Sequence, residues 1–248
     1  MSNKRKRLEA AVAAIRQRWG QGAVHRGLPP SATAAIPTGF AALDAVLDGC
    51  GGIPRARLTE LLGAPTSGMT TIALKVMAQA QHLGDTAAYL DLTHTFDPDY
   101  AARCEVNLNR LLLVRPYHGV EALAITDQLL RRRSVGFIVV EPLLDQPLPP
   151  AALSQLSGPL AQSAAALLFL TPLRWGGAWS TANYPSGLPL PQLASLRLEL
   201  KKERWLERGR DVRGYEAKVL VLKNKLGRAG QQATIAITFN GTVRGDAT

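Results

Sequence analysis

At 248 residues, with 46% hydrophobic and 19% charged side chains, the chain can fill one sizeable core and is too apolar for a disordered segment. No apolar run approaches the roughly 18 residues of a membrane span, and no apolar stretch of a secretory leader follows the basic N-terminus, so a cytoplasmic protein that does not insert into membranes is expected. The net charge of +10 sits in two blocks: residues 1–26 hold seven Lys/Arg against one Glu, and residues 197–228 hold eleven against five acids. Such clustering points to a polyanion, nucleic acid first, over a merely solvated face.

Residues 5–20 are predicted as an amphipathic helix, with Leu8, Val12, Ile15 and Trp19 spaced 4, 3 and 4 apart on one face and Gly20 and Gly22 ending it. A linker containing Pro29, Pro30 and Pro37 follows. This gives an arm and linker, 1–35, and a core, 36–248. Within the core, apolar strands are expected at 58–62, 87–92, 110–114, 137–140 and 167–170, alternating with helices at 69–83, 119–133 and 153–165. Near-continuous apolar runs of this kind fit strands buried on both faces of a mainly parallel sheet. Residues 173–193, rich in Gly, Pro, Trp and Ser, read as a long loop. The segments 196–200, 217–222 and 234–239 alternate in polarity and read as antiparallel strands. Cys50 and Cys104 lie far apart and match no metal spacing, and His94 and His118 have no partner at ligand spacing; reduced thiols and no metal site are expected.

The most informative stretch is Gly63-Ala64-Pro65-Thr66-Ser67-Gly68-Met69-Thr70-Thr71. It fits the phosphate-loop pattern G-x-x-x-x-G-K-[ST] everywhere except Met69, which stands in place of Lys. In an intact loop, backbone N–H groups cradle the phosphates, the Lys binds the β- and γ-phosphates, and the hydroxyl residue, here Thr70, holds Mg²⁺. A thioether brings neither charge nor donor. Lys75 is six residues further along the helix, about 9 Å along its axis, and is turned away from the loop.

Taken in order, the segments resemble the bacterial RecA recombinase family over nearly the whole chain. The resemblance is carried by Gln21-Gly22-Ala23-Val24, Ile36-Pro37-Thr38-Gly39-Phe40, Gly51-Gly52-Ile53-Pro54, the phosphate loop, Asp91-Leu92-Thr93-His94, Asp97-Pro98-Asp99-Tyr100 and Leu222-Lys223-Asn224-Lys225-Leu226. The stretch from Pro37 to Leu62 is also similar to the ImuA group of small RecA-related proteins, linked to translesion synthesis and the damage response. The resemblance implies an α/β fold of the RecA-type P-loop NTPase core, with a mostly parallel central sheet, an antiparallel extension and an N-terminal helical arm that packs on another subunit. It implies ATP and Mg²⁺ at Gly63, Ser67, Gly68, Met69, Thr70, Thr71, Asp97 and Glu141, with Tyr100 stacking on adenine. It also implies that Lys223 and Lys225 reach the nucleotide of an adjacent subunit, and that the segment bearing Arg174, Trp175 and Trp179 takes the place of a DNA-binding loop. By the same resemblance the chain stops before the family's separate C-terminal domain.

The departures converge on one activity. Met69 replaces the Lys, Thr93 stands where the family carries the glutamate that activates water, Glu141 replaces an Asp and is followed by Pro142, and Pro172 stands near the γ-phosphate-sensing glutamine. Phosphoryl transfer rests on positioning and charge neutralisation, so hydrolysis is expected to be lost and ATP binding weak or lost. The expected function is therefore a RecA-like accessory of DNA repair or recombination, binding single-stranded DNA and docking on a recombinase or on a copy of itself. Lys201, Lys202 and Arg204, around Trp205 in a hairpin, join Arg174, Trp175 and Trp179 as candidate DNA contacts, the cations for phosphates and the indoles for bases. Two alternatives stand beside this reading: a DNA-dependent ATPase with an unorthodox loop, and a protein-interaction module that binds no DNA.

Overall fold

The computed structural model describes residues 3–20, 24, 34–142, 148–173, 184 and 188–238. The chain divides into two units, Met1–Ala32 and Thr33–Thr248. The first contains helix α1 (Asn3–Trp19), ended by Gly20 at φ +92°, where the left-handed backbone suits glycine. Within this unit Leu8 and Trp19, the two ends of the apolar stripe, face solvent.

The second unit opens with strand β1 (Ala35–Ile36), paired antiparallel to β2 (Ile53–Pro54) around the short helix α2 (Ala41–Val46). The main body then alternates strand and helix: β3 (Leu58–Gly63), α3 (Met69–His82), β4 (Ala87–Asp91), α4 (Pro98–Arg103), β5 (Leu111–Val114), α5 (Gly119–Arg132), β6 (Phe137–Glu141), α6 (Pro150–Gln155), α7 (Ser157–Gln162) and β7 (Ala166–Pro172). It ends with α8 (Leu190–Leu193), β8 (Leu196–Arg208), β9 (Asp211–Asn224) and β10 (Gln232–Thr238). The eight-stranded sheet runs β10-β9-β8-β3-β7-β6-β4-β5. All neighbouring pairs are parallel except β8–β9 and β9–β10. This is the mostly parallel sheet with antiparallel extension that the sequence led us to expect.

The period of two along each strand sorts side chains between two cores. Tyr89, Phe137, Val139, Leu168 and Leu170 join the α3 side with Ile72, Val76 and Met77. Leu90, Ile138, Val140, Leu167 and Phe169 join the α5–α7 side with Leu123, Leu153 and Leu160. Four expectations need correction. β5 is an edge strand with Leu112 and Leu113 exposed, so its apolar run is not buried on both faces. The helix expected over 153–165 starts earlier and is two pieces, α6 and α7, meeting at Leu156. The long loop contains α8. Finally, β8 and β9 run far beyond the expected 196–200 and 217–222. β8 leaves β3 after the Gly63–Leu200 pair and continues on β9 as a ribbon, Lys201–Arg208 against Asp211–Lys218, with β10 on the other side of β9 as far as Gly214.

Candidate functional site

Four strand ends meet at the carboxyl edge of the sheet, where Gly63 lies beside Pro172 and Asp91 beside Glu141. Crevices at this edge are where open α/β sheets bind ligands. The loop from Gly63 turns through Thr66 at φ +66° and Gly68 at φ +104° into α3. Both values lie in the left-handed region, and only Gly68 adopts it without a Cβ penalty. α3 is 14 residues long with no acid in its first turn, so its free N–H groups and dipole favour an anion. Thr70 is exposed there, and the buried Ser67 hydroxyl has no hydrogen-bond partner among the described residues.

The cation is a different matter. Met69 is only 8% exposed and belongs to the α3-side core. Lys75 is buried, with Nζ donating to Glu105 Oε2 at 2.8 Å, so it is committed away from the loop. The sequence expectation for Lys75 agrees with this geometry, and Glu105 supplies the reason that sequence could not give.

The neighbouring acids are also occupied. The Tyr89 hydroxyl, in a fully buried side chain, donates to Glu141 Oε2 at 2.6 Å. Burial pushes the Glu141 carboxyl above its ordinary range, while the hydrogen bond from Tyr89 pulls it back down. Burial, with Glu141 close by, also pushes the Tyr89 phenol well up, so it stays a donor. Asp91 is fully buried and accepts from Thr93 Oγ1, the Thr95 and Phe96 N–H groups and Arg115 Nε. Thr93, at the position implied for a general base, is a donor within this network and can only relay hydrogen bonds. Asp97 caps α4, accepting from the Asp99 and Tyr100 N–H groups. Tyr100 is held by its hydroxyl against Thr71 Oγ1 at 2.6 Å, with the Arg103 guanidinium 5.6 Å from its ring centroid. Thr70, Tyr89, Asp97, Tyr100 and Glu141 border a cavity of about 140 Å³. The backbone cradle and Thr70 thus fit a phosphate group and the hydroxyl ligand of its Mg²⁺. The carboxylate on the metal side is tied to Tyr89, and no lysine of α3 faces the phosphates.

Lys223 and Lys225 lie elsewhere. Lys223 pairs with Arg197, which pairs with Glu60, so the two lysines stand toward the amino edge of the sheet, away from the loop that follows Gly63. Lys223 Nζ donates to the carbonyls of Pro191 and Gln192 at 2.7 and 3.2 Å. Burial first, then Lys225 and Arg197, push its ammonium below the usual lysine range. Lys225 is exposed. Under them Glu60, fully buried, accepts from Thr171 Oγ1, the Tyr184 hydroxyl and Arg197 Nε at 2.8, 2.7 and 2.5 Å. Sequence reasoning missed this network and the Tyr89–Glu141 pair. The available signal was an acid and a tyrosine in the middle of apolar strands, where each needs a partner.

Of the candidate DNA contacts, Arg174, Trp175 and Trp179 lie outside the described residues. Lys201, Lys202 and Arg204 sit on the ribbon where β8 runs on past β3 at the level of Gly63, so they extend from the phosphate-loop edge. Arg204 makes a two-point pair with Glu216, 2.7 Å for each bond, and Lys201 lies 3.4 Å from Glu199. Lys202 Nζ rests 3.5 Å over the Trp205 ring and 5.5 Å from that of Tyr215. Tyr215 in turn abuts the loop, since a Cβ added to Gly68 would lie 2.9 Å from its Oη and 2.7 Å from Ile237 Cδ1.

A glycine loop joining a buried parallel strand to a helix N-terminus, with acids on the adjacent strand ends, places the molecule among α/β domains of the phosphate-loop class. Residues 6–146 match the family model of the RecA N-terminal domain. Protein RecA of Roseiflexus sp. (strain RS-1) is 36% identical over 96% of this chain and 74% of its own. Protein RecA of Aquifex aeolicus (strain VF5) is 34% identical over 96% and 76%. The crystal structure of the RadB recombinase shares the fold, with a TM-score of 0.63 and 19% identity, over 82% of this chain and 96% of that one. The chain belongs to the RecA family.

Proposed function

We infer that this RecA-family chain serves DNA repair or recombination as an accessory that binds single-stranded DNA and docks head-to-tail on an active recombinase subunit or on a copy of itself, with ATP hydrolysis lost. The observation that carries the reading is the fate of the charges around the loop: the Met69 side chain is buried in the core, Lys75 is paired with Glu105, and Glu141 is bonded to Tyr89. Each of these groups has a fixed role inside the fold, so a bound nucleotide would gain the backbone cradle and little charge neutralisation. Lys223 and Lys225 stand toward the other end of the strands, the placement that a head-to-tail contact needs if one subunit is to reach its neighbour's nucleotide. The basic ribbon with Lys201, Lys202 and Arg204, together with Arg174, Trp175 and Trp179, is assigned to single-stranded DNA. No helix among the described residues is long and apolar enough to cross a membrane.

Mixing the protein with an active RecA and single-stranded DNA tests the reading: ATPase rate and filament length should change, and the Lys223→Ala/Lys225→Ala variant should lose the effect. No influence of the wild type, or equal influence of the variant, removes the docking assignment. The preserved cradle with its exposed Thr70 favours one second reading, a DNA-dependent ATPase. DNA-stimulated phosphate release that disappears on Thr70→Val would establish that reading instead.

A further inference from the structure

On the β8–β9 ribbon Trp205 stands directly opposite Tyr215, with ring centroids 6.0 Å apart and ring planes at 83°. An edge-to-face pair of this kind orients both rings. Its two members differ in environment. Tyr215 is 7% exposed, belongs to the α3-side core, is hydrogen-bonded to Thr71 and closes on Gly68 of the phosphate loop. Trp205 is 49% exposed. A buried, bonded tyrosine thus holds an indole that still offers half its surface to solvent. The Lys202 ammonium sits 3.5 Å from the centre of that indole, so the ring face is within reach of a group from outside the core. Lys201, Arg204 and Arg213 are paired with Glu199, Glu216 and Asp211. Lys202 is exposed and forms no ion pair among the described residues, and the same holds for Arg208 and Arg210 near the hairpin turn.

We propose that Trp205 is the base-stacking position of the ribbon: an unpaired nucleobase lies on the indole in place of the Lys202 ammonium, and Lys202 turns to the phosphate of that nucleotide. The inference rests on the single-stranded DNA reading of the ribbon given above, and it names the residue that makes this binding depend on bases as well as on charge. A nucleotide supplies a flat ring for the indole and an anion for the ammonium, so both members of the present cation–π contact keep a partner when it binds. A protein partner finds little here. Apart from Trp205, Val212 is the one large hydrophobic exposed on the ribbon among the described residues, too little for the apolar centre of a protein interface. A duplex keeps its base faces inside its own stack, and an acidic peptide brings charge without a flat ring. Because Tyr215 already orients the indole, little ordering cost is left to be met on binding.

The test compares a labelled dT oligonucleotide with an abasic oligonucleotide of the same length and charge, by fluorescence anisotropy on the full chain. Trp205→Leu keeps an apolar contact for Tyr215 and removes the stacking face, whereas Trp205→Phe keeps a ring; circular dichroism verifies that both variants fold. Trp205→Leu should weaken dT binding about ten-fold, the equivalent of about 1.4 kcal/mol and within the range for one stacked base, and should leave the abasic affinity unchanged. Trp205→Phe should retain most of the wild-type preference for dT. Lys202→Ala should weaken both oligonucleotides alike. The inference is overturned if Trp205→Leu weakens the two oligonucleotides equally, which marks a purely structural indole, if it weakens neither, or if duplex DNA or a glutamate polymer competes as well as dT. An equal loss on the two oligonucleotides, with a salt dependence that still falls when Lys201, Lys202 and Arg204 are replaced, removes Trp205 alone and leaves the ribbon as a phosphate track. A loss confined to dT, with a salt dependence that those replacements do not change, keeps the base contact and removes the phosphate assignment.

Discussion

Removing one oxygen, by Tyr89→Phe, isolates the bond that occupies the acid beside the phosphate loop. Tyr89 is fully buried and its hydroxyl meets Glu141 Oε2 at 2.6 Å. A hydrogen bond to a charged group contributes roughly 1.5–3 kcal/mol, and one between neutral partners roughly 0.5–1.5 kcal/mol. The cost of the substitution therefore depends on whether Glu141 is ionised. Its folded carboxyl already titrates above the ordinary value of 4.5, chiefly through burial. A raised carboxylate means that the folded state holds the proton more tightly, so the favourable contribution is complete below pH 4.5 and is lost as pH rises through the folded value. Tyr89→Phe removes an interaction that lowers that value, so the folded carboxyl moves further up. The expected loss of unfolding free energy is about 1 kcal/mol at pH 4, below the ordinary carboxyl value, and about 2–3 kcal/mol at pH 8, measured by urea denaturation at both values. A loss that is equal at the two pH values, or larger at pH 4, refutes the reasoning, because it would mean that Tyr89 does not stabilise by bonding to an ionised Glu141.

Three further outcomes are expected. Arg197→Met strips the buried Glu60 of its cation and should cost about 3–5 kcal/mol in calorimetric unfolding, whereas Arg197→Met/Glu60→Gln should recover most of that loss, since the penalty lies in the unpaired charge. Gly68→Ala places a Cβ against Ile237 and Tyr215 at φ +104° and should cost more than the roughly 1–2 kcal/mol of left-handed backbone alone. Gly230→Ala, at φ +82° with open space around it, should cost only that backbone term, and equal losses at the two sites would refute the close packing of Tyr215 on the loop. If the ribbon binds single-stranded DNA, replacing Lys201, Lys202 and Arg204 by Ala should flatten the slope of log affinity against log salt by about 2, from roughly 0.7 per phosphate contact. An unchanged slope in fluorescence anisotropy titrations removes these three residues from the DNA interface.

The sheet was legible because its central strands are buried on both faces, and Phe137–Val140 or Leu167–Leu170 leave no other use for so many adjacent apolar side chains. The phosphate loop was legible because Gly63 and Gly68 answer to backbone geometry that other residues disfavour. What could not be read were features that depend on distant partners. The exposure of Leu112 and Leu113 follows from β5 lying at the sheet's edge, and strand order is not written in local periodicity. The length of the β8–β9 ribbon escaped because Lys201–Arg208 pairs only with its own hairpin partner, and a strand with no buried face has no alternation to detect. Glu60 and Glu141 were visible as residues, yet the donors that accommodate them, Arg197, Tyr184 and Tyr89, come from other strands and loops.

Met69 has the same lesson in a sharper form. In the sequence it is one missing cation in an otherwise intact loop. In the fold its side chain is part of the apolar cluster on the α3 side, so restoring Lys at this position would have to place an ammonium stem at the border of a packed core. Restoring the cation would not restore its surroundings either, because Glu141 would still be bonded to Tyr89 and Thr93 would still be donating to Asp91. A single reversion is thus expected to recover phosphate affinity without turnover. At the carboxyl edge Met69, Thr93 and Glu141 are held by internal partners, while at the amino edge Lys225 and Arg57 are exposed and form no ion pair among the described residues. Exposed positive charge is offered at that second edge, along the ribbon and at the start of α1. A head-to-tail contact also requires two different surfaces at opposite ends of one subunit, and it can therefore keep one end in use whatever chemistry the other end supports.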